Sequence, residues 1–506
     1  MTQCPVFKLL LFIVPLSSCL QSSQDQQYRV PKPNIIYILA DDLGYGDIKA
    51  INEASGIETP NMDRLVREGT YFTDAHSSSA VCTPTRYGIL TGRYAWRSSL
   101  QSGVLWGYSP PLIEPERMTV ASFLRGNGYH TGVVGKWHLG LGWQPMLADS
   151  PIVQYDWEYL FDAQRGSNVD FSKPVEGGPS TLGFDYSFIF PSSLDMTPYV
   201  YLVNDTVAEL PTTYTEGKSE NKDGRGVFWR AGEISPGLQV EKVLDDLSEK
   251  AVTFIHDYGK QEDPFFLYFP LTAPHAPWVP ASQYRGSSEA GLYGDFVTHV
   301  DKVVGDILNA LDQMQIEENT LVLLTSDNGA HWTMGDKELY EHRPNYHFRG
   351  QKADIYEGGH RIPYIVRWPG QIPSGSVCPL LISTTDFFAT MAGITWTELP
   401  PGVAEDSYDM ADVYLHLTEE PIRNVMIQHS LNGSFAIRQG NWKYSPQLGS
   451  GGFTSPAVID SLGGALYNLE TDPGETQNLI EKRWAKAQRM HQNLELITGQ
   501  KFNPVR

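Results

Sequence analysis

The feature that most constrains this chain is a set of short, uninterrupted apolar runs, each ending in residues able to do chemistry. Asn34-Ile35-Ile36-Tyr37-Ile38-Leu39-Ala40 delivers Asp41 and Asp42, and Thr320-Leu321-Val322-Leu323-Leu324-Thr325 delivers Asp327 and Asn328. Thr131-Gly132-Val133-Val134 leads into Gly135-Lys136-Trp137-His138, and Phe265-Phe266-Leu267-Tyr268-Phe269 leads into Thr272-Ala273-Pro274-His275. Apolar runs without polar alternation predict strands buried on both faces, as in parallel sheets. Helical patterns lie between them at Met62 to Glu68, Val120 to Asn127, Val240 to Tyr258 and Phe296 to Met314. The alternation predicts an α/β fold, a mostly parallel sheet with helices on both faces. Ligands of such sheets sit outside the carboxyl ends of the strands, where these runs place their polar residues.

The stretch from Gly142 to Gly237 is rich in Pro, Gly and Ser and reads as a substrate-binding insertion. After about Ala404 the pattern changes to short strands, Ser434 to Arg438, Trp442 to Tyr444 and Ala465 to Leu469, and then a helix from about Ile480. This predicts a small antiparallel sheet packed with a helix. The expected division is a segment 1–18 that directs export, a linker 19–32, a main domain 33–404 and a C-terminal subdomain 405–506.

The export expectation comes from Leu9 to Leu16, an apolar run too short to span a bilayer, followed by Ser17-Ser18-Cys19 and a polar stretch. Leu16-Ser17-Ser18-Cys19 resembles a bacterial lipobox, which would make Cys19 a lipidation site and the chain a lipoprotein of the bacterial cell envelope, in the periplasm or at the outer membrane or cell surface. The alternative is an ordinary signal peptide cut nearby. With Cys4 in the leader and Cys19 in the lipobox, Cys82 and Cys378 remain of the four cysteines. Export would permit the two to pair; Cys378, before Leu380-Leu381-Ile382, otherwise reads as a buried thiol. The excess of 59 Asp+Glu over 38 Lys+Arg, a net charge of −21, argues against a nucleic-acid partner. Any anionic substrate needs a local exception to that charge.

Asp41, Asp42, Asp327 and Asn328 supply hard oxygen donors at strand ends, suited to Ca²⁺ or Mg²⁺ rather than zinc. On spacing alone they serve equally well as a polar strand exit and a turn.

Cys82-Thr83-Pro84-Thr85-Arg86, continuing to Thr91-Gly92-Arg93, resembles the signature of the type I sulfatases, in which the Cys is oxidised to formylglycine (3-oxoalanine) by a maturation enzyme. The resemblance extends to Asp41-Asp42, Gly135-Lys136-Trp137-His138, Ala273-Pro274-His275, Ser326-Asp327-Asn328-Gly329, Gly350-Gln351-Lys352 and the tail Leu466 to Pro473. It implies an alkaline-phosphatase-like fold and sulfate-ester hydrolysis. Carried over position by position, Cys82 would be the nucleophile, held by Arg86. Asp41, Asp42, Asp327 and Asn328 would bind Ca²⁺, with residue 82 completing the shell, Mg²⁺ being the second choice. Lys136, Lys352 and Ser193 would hold the sulfate, His275 with Lys352 would protonate the leaving alcohol, and His138 would take a proton from the second hydroxyl.

The similarity to polysaccharide sulfatases of marine bacteria implies a sulfated algal glycan as substrate, ulvan first, then carrageenan or fucoidan. Small aryl sulfates, phosphate or phosphonate esters, and a non-catalytic glycan-binding role are the alternatives. His331, His342, His347 and His360, with Trp143, Trp157 and Trp229, are further candidates for sugar contact or for packing.

Overall fold

The computed structural model describes residues 32–153, 166–220, 225–459 and 463–502. Cys4, Cys19, the 1–18 export segment, nearly all of the 19–32 linker and Trp157 lie outside the described residues.

In chain order, the main sheet takes β1 (Asn34–Asp41), β2 (Thr70–Phe72), β3 (His130–Lys136), β4 (Tyr186–Phe190), β5 (Leu202–Val203), β6 (Thr206–Val207), β7 (Phe265–Pro274), β8 (Thr320–Ser326), β9 (Tyr364–Arg367) and β10 (Ser376–Cys378). Their spatial order is β10-β2-β9-β8-β1-β7-β3-β4-β5-β6. The central five strands, β8-β1-β7-β3-β4, are all parallel. Antiparallel pairs appear only toward the edges, at β8 with β9, β9 with β2, β4 with β5 and β5 with β6. The fold is the expected mixed, mostly parallel sheet.

Burial explains why the strand runs carry no alternation. In β1, Ile35, Tyr37 and Leu39 join the apolar cluster on one face, while Ile36, Ile38 and Ala40 join the cluster on the other. Both faces are covered, so every position must be apolar. Helices α1 (Pro60–Glu68), α4 (Val243–Tyr258) and α5 (Gly291–Met314) pack on the Ile36 face. Helices α2 (Cys82–Thr91), α3 (Val120–Gly126) and α6 (Phe387–Ile394) pack on the other. In α5, Phe296, Val300, Val303, Val304, Ile307 and Leu311 recur at helical spacing and are all at most 1% exposed. Truncating one such residue to Ala costs about 2–5 kcal/mol.

Two differences from the sequence reading have clear causes. The insertion is not wholly outside the sheet: Tyr186–Phe190 enters it as a parallel strand beside β3. A five-residue run flanked by Gly, Pro and Ser carries too little pattern to stand out. The C-terminal sheet has four strands, β11 (Val425–His429), β12 (Phe435–Gln439), β13 (Trp442–Ser445) and β14 (Ala465–Asn468), in antiparallel order, with α7 (Trp484–Thr498) against it. Its first strand was not expected, and its helix starts four residues later than Ile480. No helix among the described residues is long and apolar enough to cross a membrane.

A buried ionic network joins the two sheets. Asp74, Glu357 and Glu475 meet Arg361, Arg438 and Lys443 around His76 and His360, whose Nδ1 atoms lie 2.9 Å apart. His360 is therefore a structural residue, already contacted by Lys443 at 3.1 Å. Burial lowers His76 to about 4, and it lowers His429 to about 4 as well. Unfolding restores an ordinary imidazole that takes up protons below about pH 6.5. Each group thus contributes stability present above pH 6.5 and lost as pH falls toward 4, at about 1.4 kcal/mol per pH unit. Asp301, raised to about 6 by burial, works in the opposite direction over part of that range. We expect the denaturation midpoint, followed by circular dichroism, to fall steeply between pH 6.5 and 4; a flat profile would contradict neutral buried imidazoles.

Candidate active site

Because β1 lies between β7 and β8, and β7 pairs with β3, the carboxyl ends of four strands bring their terminal residues to one place. Asp41 ends β1, and Asp42 follows it in the left-handed region (φ 68). Asp327 and Asn328 follow β8, Lys136 ends β3, Ser193 follows β4 and His275 follows β7. Gly135 is required just before Lys136, since a Cβ there would meet the Pro270 carbonyl oxygen at 1.8 Å. Helix α2 begins at Cys82 and is buried along its whole length, which sets Cys82 and Arg86 beneath the same cluster.

The charges interlock. Lys136 Nζ lies 2.6 Å from Asp41 Oδ2 and donates to Ser193 Oγ at 3.2 Å. Arg86 donates to Asp327 Oδ2 from Nη2 (2.7 Å) and Nε (3.1 Å), and its Nη2 is 3.6 Å from Asp41 Oδ1. Lys352 Nζ is 2.7 Å from Asp42 Oδ1. Asn328 Nδ2 donates to Asp42 Oδ1 at 2.6 Å. Three carboxylates therefore face three cations, all buried, and their clustering does not by itself demand a metal.

A divalent ion nevertheless fits the donor set. Asp41 Oδ1 and Asn328 Oδ1 are buried and accept no hydrogen bond, although buried polar atoms are nearly always paired. Ligand atoms of Asp41, Cys82 and Asp327 lie within 4.8 Å of one another. One unused hard oxygen within that trio, on Asp41, and another on Asn328, the residue after Asp327, suit a hard cation. His76, Glu357 and His360 are also close enough to share an ion, but Lys443 and Arg361 already engage Glu357 and His360, and Arg438 engages His76.

Electrostatics sort the groups. Burial pushes Asp41 up, yet Lys136, His275 and Arg86 more than offset it and hold it below the usual carboxylate range. Asp327 is raised by burial and by Asp41 despite Arg86. Burial raises the Cys82 thiol, which makes an unmodified Cys82 a poor thiolate nucleophile. Burial opposes the charge on Lys352, but Asp42 dominates and raises its pKa. His138 is driven well below the ordinary imidazole range, first by burial and then by Lys136 and Arg86. Its Nε2 pairs with the Leu105 carbonyl at 2.8 Å, while Nδ1 is buried without a partner. The neutral ring therefore carries its proton on Nε2 and leaves Nδ1 as an acceptor. His138, like Asp42, is held at positive φ (56), a strained conformation that concentrates at functional sites. His275 Nδ1 lies 2.5 Å from the Ala276 carbonyl and 3.3 Å from Ser193 Oγ, and its Nε2 is 3.9 Å from Asp42 Oδ2.

These residues form the floor of a cavity of about 520 Å³, lined by Cys82, Asp42, His138, Ser193, His275 and Lys352. Its upper walls include residues that sequence reasoning missed: Asp195, Arg230, Trp278 and Phe453. Arg230 pairs with Asp195 and lies 5.1 Å from both the Trp106 and Phe228 rings. Burial works against the Asp195 charge, but Arg230 and His275 hold its pKa down. Asp195 stands two residues after Ser193, whereas nothing local marks Arg230.

Of the other candidates, His331 lines the cavity and packs on Phe453 at 4.8 Å. His342 is buried on Asp47 (2.8 Å), and Trp143 is buried with its Nε1 on the Gly107 carbonyl. Trp229 is half-buried, with Nε1 on Thr215 Oγ1. Cys82 and Cys378 are both buried and free, so the pairing that export would permit is not formed.

This buried array of compensated charges lies at the carboxyl ends of the central strands of an alkaline-phosphatase-like fold. The chain matches the Sulfatase family model over residues 33–396 and belongs to the sulfatase family. It is a hydrolase of sulfate esters. It is 33% identical to an N-acetylgalactosamine-6-O-sulfatase of Bacteroides thetaiotaomicron, over 97% of this chain and 98% of that protein. It is 31% identical to human arylsulfatase A, over 88% of this chain and 83% of that protein. A solved structure from work on glycosaminoglycan metabolism by Bacteroides thetaiotaomicron superposes with a TM-score of 0.79 at 31% identity, covering 93% of this chain and all of that one. Sulfatases generally bind a divalent metal, in keeping with the donor set described.

Proposed function

We propose that this sulfatase removes sulfate from a sulfated glycan through a formylglycine made from Cys82. The supporting observation is the convergence of Lys136, Ser193, His275, Lys352 and the acidic cluster on a buried Cys82 whose thiol is a poor nucleophile in its own right. The near full-length likeness to an N-acetylgalactosamine-6-O-sulfatase makes a 6-O-sulfated N-acetylgalactosamine residue the first substrate to test. It stands ahead of ulvan, carrageenan and fucoidan.

In this reading, Asp41, Asp42, Asp327 and Asn328 hold Ca²⁺ in preference to Mg²⁺; when bound, the ion polarises a sulfate oxygen and lowers the pKa of the attacking hydroxyl. In the reaction, the cysteine sulfur gives place to a hydrated aldehyde with two hydroxyls, and the sulfur position marks where they stand. Lys136, Lys352 and Ser193 orient the sulfate oxygens, and Arg86 holds the hydrate. One hydroxyl of residue 82 gives its proton to the Asp327 carboxylate, which lies within 4.8 Å of the Cys82 sulfur position, and attacks sulfur as the S–O bond to the alcohol breaks, while His275 with Lys352 protonates the departing oxygen. His138 Nδ1 then takes the proton of the second hydroxyl. The C–O bond to sulfate breaks, sulfate departs and the aldehyde is restored, and addition of one water re-forms the hydrate for the next turnover.

Three groups of surroundings belong to the same proposal. Cys19 lipidation attaches an exported chain to the bacterial cell envelope, which is its only membrane link. A formylglycine-generating enzyme is the maturation partner, and no nucleic acid is involved. Residues 33–404 carry catalysis, and 405–506 support it.

The test is sulfate release by the matured protein from a panel of sulfated oligosaccharides, beside phosphate esters of the same alcohols. Release from 6-O-sulfated residues is expected, lost on chelation and restored by Ca²⁺. Equal or faster turnover of the phosphate esters would instead favour a phosphohydrolase, and turnover of aryl sulfates alone an arylsulfatase. An intact mass that retains the thiol sulfur would remove the formylglycine step.

A further inference from the structure

A second cavity, of about 550 Å³, is lined partly by residues that adjoin those of the catalytic pocket in the chain. His331 lines the catalytic pocket and Trp332, the next residue, lines the second cavity. Likewise Asp336 pairs with Arg225 on the catalytic side, while Lys337 faces the second cavity. One segment, His331 to Lys337, therefore reaches both spaces.

The charge of this cavity runs against the rest of the chain. In a protein of net charge −21, it is lined by Lys337, Arg343 and Arg349. None of the three makes an ion pair among the described residues. Arg343 donates to the backbone carbonyls of Tyr340, Glu341 and His342, and Arg349 donates to the Glu475 carbonyl and stacks on Tyr356 at 3.9 Å. The Glu475 carboxylate does not neutralise them, because Lys443 and the Glu357 N–H hold it. Burial lowers the Lys337 pKa and Arg343 lowers it further, with Asp354 acting weakly the other way. An accumulated positive charge of this kind is relieved by an anionic ligand.

The same cavity carries an aromatic surface fit for a sugar ring. Tyr346 is 41% exposed at its edge and is held at φ 54. The left-handed region disfavours a tyrosine, so the backbone keeps an exposed ring there against local preference. The loop bearing it is tied to both acidic turns of the catalytic site. Gly46 N–H donates to the Pro344 carbonyl (2.6 Å), and Asn345 makes paired hydrogen bonds with the Ala330 backbone (2.8 and 2.9 Å). Gly44 must remain glycine, since a Cβ would lie 2.3 Å from the Pro344 carbonyl oxygen.

We propose that this cavity is a distal subsite that binds a second acidic group, a sulfate or a carboxylate, of a glycan chain whose reacting residue occupies the catalytic pocket. The proposal rests on the glycan reading and deepens it: the substrate is a polyanion longer than one sugar. Lys337 and Tyr346 are the residues to test, since Arg343 and Arg349 also secure backbone. The Lys337→Glu, Tyr346→Gly double variant of the full chain is compared with the wild type for binding of size-fractionated dextran sulfate, by affinity electrophoresis, and for turnover of 4-nitrophenyl sulfate. Glycine suits the φ of position 346, so the fold is expected to persist, with an unchanged denaturation midpoint.

The expected result is a dextran sulfate Kd raised about ten-fold or more, with a shallower salt dependence, while aryl sulfate constants stay within about two-fold. Equal Kd values for wild type and variant would overturn the subsite. So would a rise in Kd matched by an equal rise in the KM for aryl sulfate, which would report general damage. Failure of the glycan reading is seen separately, as absent sulfate release from every oligosaccharide of the panel.

Discussion

Replacing Cys82 with serine abolishes sulfate release, by about five orders of magnitude when a nucleophile is lost from an otherwise intact site, and leaves the fold in place. Cys82 is 2% exposed at the first turn of α2, among residues that are all buried. An Sγ to Oγ exchange removes little volume there and adds a hydroxyl beside Lys136 and Lys352, whose positive charges act on this position. A serine hydroxyl has no second oxygen with which to expel sulfate, so even one round of attack would leave the enzyme blocked. The measurement is sulfate release per mole of protein, expressed in a host without serine-type maturation, alongside circular dichroism and intact mass. Undiminished turnover in that host would remove the formylglycine step from the proposed mechanism. Loss of the folded spectrum would show instead that position 82 is chiefly structural.

The second large effect is expected at Asp327. Its carboxylate accepts from Arg86 at 2.7 and 3.1 Å and from the Asp42 N–H at 3.2 Å, with every partner fully or almost fully buried. Asp327→Ala leaves the Arg86 guanidinium with Asp41 at 3.6 Å as its remaining carboxylate and the Lys136 carbonyl at 2.9 Å. Breaking one side of such a pair costs about 3–5 kcal/mol, because the other charge stays buried. The denaturation midpoint falls accordingly, and under the proposed ligand set the affinity for Ca²⁺ falls with it. The two readouts separate the two roles of the residue. A calcium titration unchanged from wild type, taken at a temperature where the variant is folded, excludes Asp327 from the ligands, and an unchanged midpoint contradicts the weight given to its pair with Arg86.

Charge balance at this site also bears on how an anionic substrate is held. Three carboxylates brought together in a buried place repel one another unless cations compensate them. Arg86, Lys136 and Lys352 already provide that compensation. A divalent ion would therefore leave the site with an excess of positive charge, which suits the capture of an anionic ester and the charge that develops as sulfate is transferred.

What the amino-acid order alone determined is the part of the protein governed by short-range pattern. A strand buried on both faces must be apolar at every position, and a strand must end somewhere, so Asp41, Asp327, Lys136 and His275 announced themselves as the polar ends of β1, β8, β3 and β7. Their meeting follows from parallel pairing in one register. The tertiary structure decided what depends on distance along the chain. Arg86 and Asp327 are separated by 241 residues and Arg230 and Asp195 by 35, and no periodicity links either pair. The strand Tyr186–Phe190 was invisible within a loop-rich stretch because five residues carry too little pattern, and His360 proved structural because its neighbours come from the C-terminal sheet. Local composition sets which side chains must leave water, but the low-dielectric enclosure that pairs charges and shapes a pocket exists only once distant segments have closed around it.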